Sequence, residues 1–220
     1  MDSLWQLALD SLWPMVSGAL MATIPLTLIS FSLGLALALM VALMRISSNK
    51  LVSGIARGYI SIIRGTPLLV QLFVIFYGLP SLGVTIDPWP SAILAFTLNV
   101  GGYAAEIIRA AILSVPGGQW EAGYTIGMSR TRTLYRLILP QATRVAVPPL
   151  SNTFISLVKD TSLASMILVT EMFRRAQEIA ATTYEFMLLY LEAAAIYWVI
   201  CLILSAIQDR MESRLEKYVA

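Results

Sequence analysis

Four consecutive residues, Lys159-Asp160-Thr161-Ser162, set a cation, an anion and two hydroxyls side by side in an otherwise apolar stretch. Asp160, Thr161 and Ser162 suit an ammonium group, and Lys159 suits a carboxylate. Asn99 and Tyr103, one helical turn apart, offer an amide and a hydroxyl to a zwitterion, or a hydrogen bond to a neighbouring helix. Glu106 and Arg109 stand three residues apart, share a helix face and can pair, either beside a polar path or as snorkelling charges at an interface. None of these groups suits covalent chemistry. The chain has no histidine and one cysteine, Cys201, which removes the Ser-His-Asp triad, His-containing metal sites, disulfide frameworks and thiolate clusters. The chemistry on offer is recognition of a small polar solute, with no catalytic residue and no metal site.

The elements that carry these groups are apolar. Of 220 residues, 58% are hydrophobic and only 13% charged, with mean hydropathy +0.76. Soluble domains carry about a quarter charged residues, so the composition is that of a membrane protein. The formal charge of +2 reflects the basic loops of such proteins and gives no reason to expect a nucleic-acid partner. The chain opens with no Lys or Arg before Arg45, unlike a signal peptide, so the first helix is expected to be retained.

From Ser11 to Met44 no residue is charged, about 51 Å of helix against a hydrocarbon core of about 30 Å. Pro14 and Gly18 therefore predict an interfacial entry segment, followed by a first span from about Met21 to Met44. Uncharged stretches from Gly65 to Ile86 and from Pro88 to Ala105 predict the second and third spans, and Phe186 to Ile207, interrupted by Glu192, the fifth. Glu192 is expected in a packing contact, since Ala193, Ala194 and Ala195 let helices approach closely. Thr66 and Pro67, after Arg64-Gly65, read as the cap and first turn of span two.

The fourth span is irregular. Arg144 to Lys159 encloses fourteen uncharged residues, so a full crossing must include or abut Lys159-Asp160. Pro148-Pro149 removes two backbone donors and predicts a kink. Ionisable residues at membrane depth, on broken helices, mark substrate paths; the alternative is a surface loop in which Lys159 and Asp160 neutralise each other. Glu171, Arg174, Arg175 and Glu178 are expected beyond this span, touching an external partner or one another.

Twelve of the fifteen basic residues fall after spans one and three and in the tail Asp209, Arg210, Glu212, Arg214, Glu216, Lys217. The positive-inside rule then places the N-terminus outside and the C-terminus inside, which an odd number of spans permits. The expected fold is all-α and polytopic: one transmembrane domain over residues 1–220 with five helices.

Between spans three and four, Gln119 to Pro140 reads as a compact cytoplasmic knob, occupying about 116–140. A short helix enters after Pro116-Gly117-Gly118, carries Glu121 in its first turn and stops near Gly127; a second, amphipathic helix ends at Pro140. Leu134, Leu137 and Ile138 repeat at helical spacing, leaving Arg130, Arg132 and Arg136 for solvent or an acidic partner.

This loop resembles the EAA motif of ABC-transporter permeases: EAA, three residues, G, nine residues, I, any residue, LP. Glu121, Ala122, Gly127, Leu139 and Pro140 occupy the matching positions; Gly123 replaces the third-position alanine and Leu137 the isoleucine. The glycine costs its helix up to about 1 kcal/mol. Ile63-Arg-Gly-Thr-Pro-Leu-Leu-Val-Gln-Leu-Phe73, Tyr77-Gly-Leu-Pro80, Asn99 to Ala111 and Pro148 to Ala164 extend the resemblance to permeases of the polar amino-acid uptake branch, most like the cystine type.

The resemblance implies a bacterial inner-membrane permease subunit of an ATP-driven importer. Its partners would be a second permease chain, identical or not, two ATPase subunits, an external binding protein, a polar amino acid and the lipid bilayer. Glu121, Ala122, Gly123, Gly127, Met128, Arg130, Leu139 and Pro140 would form the coupling helix and its seat. The substrate path would comprise Asn99, Tyr103, Glu106, Lys159, Asp160, Thr161 and Ser162. The three lysines follow no phosphate-cradling glycine pattern, so ATP and Mg²⁺ are expected on the partner ATPase and no cofactor on this chain. A permease of the same architecture for a cationic amino acid, of arginine or histidine type, stays open; so does a secondary transporter or channel, although such a carrier would typically be longer and contain paired repeats.

Overall fold

The computed structural model describes residues 2–216, so Met1 and Lys217 lie outside the described residues. Helices and the loops between them make up all of these residues, with no strand among them. α1 (Asp2–Gly18) and α2 (Ile24–Arg45) are joined by a π turn over Ala19–Thr23. α3 (Lys50–Gly65) and α4 (Leu68–Phe73) meet at 104°, and α4 continues through a π turn, Val74–Gly78, and a 3-10 turn, Leu79–Leu82. α5 (Pro88–Ser114) is followed by α6 (Gly117–Thr125), α7 (Arg130–Thr133), a third π turn (Leu134–Ile138) and α8 (Leu139–Asp160). A 3-10 turn (Thr161–Ile167), α9 (Met172–Thr183) and α10 (Phe186–Glu216) complete the chain.

By length and composition three helices can cross a membrane: Leu4–Arg45, Pro88–Ser114 and Phe186–Arg214. Two bent pairs, α3 with α4 and Arg130–Ile167 with Met172–Thr183, bring the number to five if each pair is one span. The expected five spans correspond to that reading.

Prolines explain where the structure departs from expectation. Pro14 and Gly18 do not break the first helix; Leu4 to Arg45 is a single helix of 42 residues, about 63 Å long. Pro140 does not end a helix but occupies the start of α8, and α8 runs through Pro148 and Pro149 without interruption. Each of the three π turns ends two residues before a proline: Pro25, Pro80 and Pro140. A proline donates no backbone hydrogen bond, and its ring collides with the carbonyl four residues earlier. Those carbonyls belong to Met21, Phe76 and Arg136, the middle residues of the three π turns, where the widened backbone moves them aside. The break in the fourth span falls later, at Leu168, whose φ of 67° turns the chain before α9 at a 48° bend.

The segment after span one, expected as a basic loop, is α3. Asn49 caps it, its Oδ1 accepting from the Leu51 and Val52 backbones, and Ser53, Ala56, Ile60 and Ile63 form its buried face. Thr66 does not cap the next helix. It ends α3, donating its hydroxyl to the Ile62 carbonyl at 2.8 Å, while Pro67 precedes α4 in an extended conformation.

α5 is the centre of the bundle, packed against α2, α3 and α8. Small residues line the contacts: Ala38, Ala42, Ala92, Ala95, Ala104 and Ala105 are buried. A Cβ on Gly34 would stand 2.6 Å from Val100, and one on Gly102 would stand 2.6 Å from Ile63, so both positions require glycine for the helices to touch. Large apolar side chains such as Leu28, Leu33, Met40, Trp198 and Ile203 point outward, as a lipid solvent permits.

A second, smaller core joins α1, α9 and α10 through Met15, Ala19, Met172, Ala176, Ala180, Leu189 and Ala193. Glu192 makes the expected packing contact, accepting from the Ser11 hydroxyl at 2.6 Å. Glu171 departs from its expected surface place and is fully buried. Its carboxylate caps α9, accepting from the backbones of Phe173 at 2.9 Å and Arg174 at 2.7 Å, and from the Tyr197 hydroxyl at 3.0 Å. Of the four, Arg174, Arg175 and Glu178 pair with one another on the surface, at 3.2 and 3.4 Å.

Candidate functional site

A polar cavity of about 730 Å³ opens between α5, α8 and the α3–α4 corner. α5 contributes Asn99, Tyr103 and Glu106, spaced i, i+4, i+7, which puts all three on one face. α8 answers with Asn152, Ser156 and Asp160 at i, i+4, i+8, and Arg64 and Thr66 close the side at the corner. Four of the seven expected path residues, Asn99, Tyr103, Glu106 and Asp160, are therefore brought together.

Lys159, Thr161 and Ser162 do not line this cavity. The helix turns Lys159 outward, where it is exposed. The Thr161 hydroxyl, fully buried, donates to the Val158 carbonyl at 2.7 Å, and Ser162 donates to the Lys159 carbonyl at 2.7 Å. Both hydroxyls satisfy the last carbonyls of α8, so the four-residue cluster does not act as one binding set; Asp160 alone faces the hollow.

The walls are held by groups outside the expected set. Gln71 donates its amide to the Ile63 carbonyl at 2.8 Å and to the Thr66 hydroxyl at 2.9 Å, and accepts from the Asn99 amide at 3.4 Å. One side chain thus ties the corner to the binding face of α5. The Arg64 guanidinium stands 5.4 Å from the centre of the Tyr103 ring, a cation–π distance. Gln208 of α10 donates to the Asn152 side-chain Oδ1 at 3.3 Å, bracing the α8 face. Glu106 pairs with Arg109 at 2.7 Å, as its spacing predicts, and lies 3.8 Å from Arg45. The Asp160 carboxylate accepts no hydrogen bond among the described residues, which leaves an anion available to a cationic group. The Asn152-Ser156-Asp160 spacing was the sequence signal that would have found the α8 face; Gln71 carries no such signal, because its partners lie across a corner.

The knob forms as a short helix, a glycine turn and a second helix. α6 begins at Gly117 after Pro116, two residues earlier than expected, so Glu121 stands past the first turn and is exposed. Gly127, at φ 76°, supplies the left-handed turn. The backbone of Gly127 donates to Tyr124 at 2.9 Å, and that of Met128 to Gly123 at 3.0 Å. Ser129 then caps α7, accepting from the Arg132 backbone.

Of the eight expected coupling residues, Glu121, Ala122, Gly127, Arg130 and Pro140 are exposed, Met128 and Leu139 half-buried, and Gly123 buried. Gly123 and Leu139 shape the knob, whereas Glu121 and Ala122 stand where a partner can reach them. Tyr124 and Ile126, absent from the expected set, add apolar surface there; Ile126 is 73% exposed.

Over residues 34–217 the chain matches the family described as the binding-protein-dependent transport system inner membrane component. It is 60% identical to the L-cystine transport system permease protein TcyB of Bacillus subtilis (strain 168), over 98% of this chain and 93% of that protein. The glutamine transport system permease protein GlnP of Escherichia coli (strain K12) is 36% identical over 94% of this chain and 97% of that one. Among solved structures, an amino acid ABC transporter crystallised with histidines superposes with a TM-score of 0.86 at 38% identity, covering 91% of this chain and 94% of that chain. The MetNI methionine ABC transporter shares the fold, with a TM-score of 0.72 at 17% identity over 98% of this chain and 99% of that one.

Proposed function

The chain belongs to the family of binding-protein-dependent transport system inner membrane components, and from that membership we propose that it moves polar amino acids, cystine foremost, into the cell. It is a multi-pass inner-membrane protein, the non-catalytic permease subunit of an ABC importer. The 60% identity to a cystine permease across nearly the whole chain carries the choice of cargo. The cavity supports it: guanidinium, carboxylate, amide and hydroxyl groups are distributed over its walls, as a zwitterion with two ends of opposite charge requires.

In this reading residues 1–220 form one transmembrane domain, with the N-terminus outside and the basic ends of the helices in the cytoplasm. Two permease chains enclose the path and an external binding protein delivers the cargo. Two ATPase subunits bind ATP and Mg²⁺ and dock on the knob, where Glu121 and Ala122 meet the motor and Gly123, Gly127, Met128, Arg130, Leu139 and Pro140 form and orient their seat. Asn99, Tyr103, Glu106 and Asp160 line the path, joined by Arg64, Asn152 and Ser156.

A cationic amino acid is the second reading, favoured by the free Asp160 carboxylate. ATPase turnover of the chain co-purified with its ATPase, in lipid, distinguishes them. The binding protein is loaded in turn with cystine, arginine, glutamine and histidine. Stimulation by the cystine-loaded form alone is expected; stimulation by arginine or histidine alone selects the second reading, and no stimulation by any loaded form removes the amino-acid assignment.

A further inference from the structure

A second hollow, of about 850 Å³, lies at the arginine-rich end of the bundle, between the ends of α2 and α5 and the α6–α7 knob. Its polar wall carries Arg45, Ser47, Ser48, Arg109 and Arg130. Three guanidinium groups here share one nearby carboxylate, because Glu106 pairs with Arg109 at 2.7 Å and stands 3.8 Å from Arg45, while Arg130 has no carboxylate partner among the described residues. Two positive charges are left without a carboxylate of their own among the described residues. The Arg45 Nε–H is buried and has no hydrogen-bond acceptor among the described residues, since its 3.8 Å to Glu106 is too long for one.

The opposite wall is apolar and open. Leu113 is 61% exposed and Tyr135 56% exposed, and Trp120 stands beside them. Tryptophan and tyrosine settle at the level of lipid headgroups, and basic pockets between helices at that level hold phosphate-bearing lipids. A soluble anion has no use for the apolar wall, whereas a lipid fills both sides at once.

We propose that this cavity binds the phosphate headgroup of an anionic phospholipid, with Arg45, Arg109 and Arg130 on the phosphate and Leu113, Trp120 and Tyr135 against the glycerol and first acyl carbons. The assignment is independent of the transported cargo. It ties the foot of the knob to the bilayer, so lipid charge acts on the same element that faces the motor.

The test is native mass spectrometry of the purified chain after equilibration with phosphatidylglycerol or phosphatidylcholine, alongside thermal unfolding with each lipid and with inorganic phosphate. One phosphatidylglycerol per chain is expected to be retained in preference to phosphatidylcholine. Arg45→Gln and Arg130→Gln each lower that retention at least fivefold. Arg57→Gln, which removes the same charge from an exposed site outside the cavity, leaves it unchanged. Arg130 is exposed and has no ion-pair partner among the described residues, so its variant carries the test even if Arg45→Gln fails to fold. Equal losses in all three variants, no loss in any, or stabilisation by inorganic phosphate matching that by phosphatidylglycerol overturns the proposal. So does an Arg130→Gln chain that sheds its ATPase partner while retaining lipid, which would make the cavity a protein-docking face.

Discussion

Gly123 lies against Thr133 so closely that a Cβ there would stand 2.6 Å from both the methyl and the hydroxyl of the threonine. The alanine expected at this position of the motif is therefore replaced for a steric reason: Thr133, fully buried and donating to the Ser129 carbonyl at 3.1 Å, occupies the space. What reads in the sequence as a loosened helix is a tight helix-to-helix contact.

Gly123→Ala is expected to destabilise the knob by about 1–3 kcal/mol, the usual range for overpacking. Limited proteolysis between α6 and α7 reads the effect, with cleavage faster than in the parent chain. Thr133→Ala in the same chain removes both clashing atoms and should restore resistance, less about 1 kcal/mol for the lost hydrogen bond. Unchanged proteolysis of the single variant would refute the contact.

Glu121→Lys reverses an exposed charge on the knob and touches nothing in the core. Uptake should fall at least tenfold while the chain keeps its oligomeric state and thermal unfolding temperature. Substrate uptake by reconstituted vesicles measures the first, size-exclusion chromatography the second. Retained uptake would remove Glu121 from the coupling role.

On the cavity side, Asp160→Ala should lower uptake about tenfold without releasing the ATPase, since the carboxylate is free and far from the knob. Asp160→Asn separates the two cargo readings: a selective loss for arginine or histidine marks a cationic ligand, whereas an equal loss for cystine marks a zwitterion. Normal transport by Asp160→Ala would exclude the α8 face from the path.

Stability depends on the buried Glu171. Glu171→Ala strips two backbone donors of α9 and the Tyr197 hydroxyl of their acceptor, at a cost of about 2–4 kcal/mol. Tyr197→Phe removes one donor and leaves the cap intact, costing about 1 kcal/mol. Thermal unfolding in detergent should rank parent, Tyr197→Phe and Glu171→Ala in that order; equal unfolding temperatures would contradict the network.

Composition and charge spacing alone decided that the chain is a helical membrane protein with a polar fourth span and a knob between spans three and four. Apolar runs report burial in lipid directly, and i,i+3 or i,i+4 spacing reports shared helix faces, so the Glu106–Arg109 pair and the Asn99–Tyr103 face were legible. The prolines were not, because loss of one hydrogen bond predicts a stop, and only the folded backbone shows that a π turn before Pro25, Pro80 or Pro140 absorbs it. Charge in sequence likewise does not say which way a residue faces. Lys159 and Asp160 are adjacent, yet consecutive helical positions stand about 100° apart, so one meets the exterior and the other the cavity. Glu171 read as surface because its partners, Thr23 and Tyr197, are distant in the chain; only packing of the π turn after α1 against α9 and α10 brings their hydroxyls to its carboxylate.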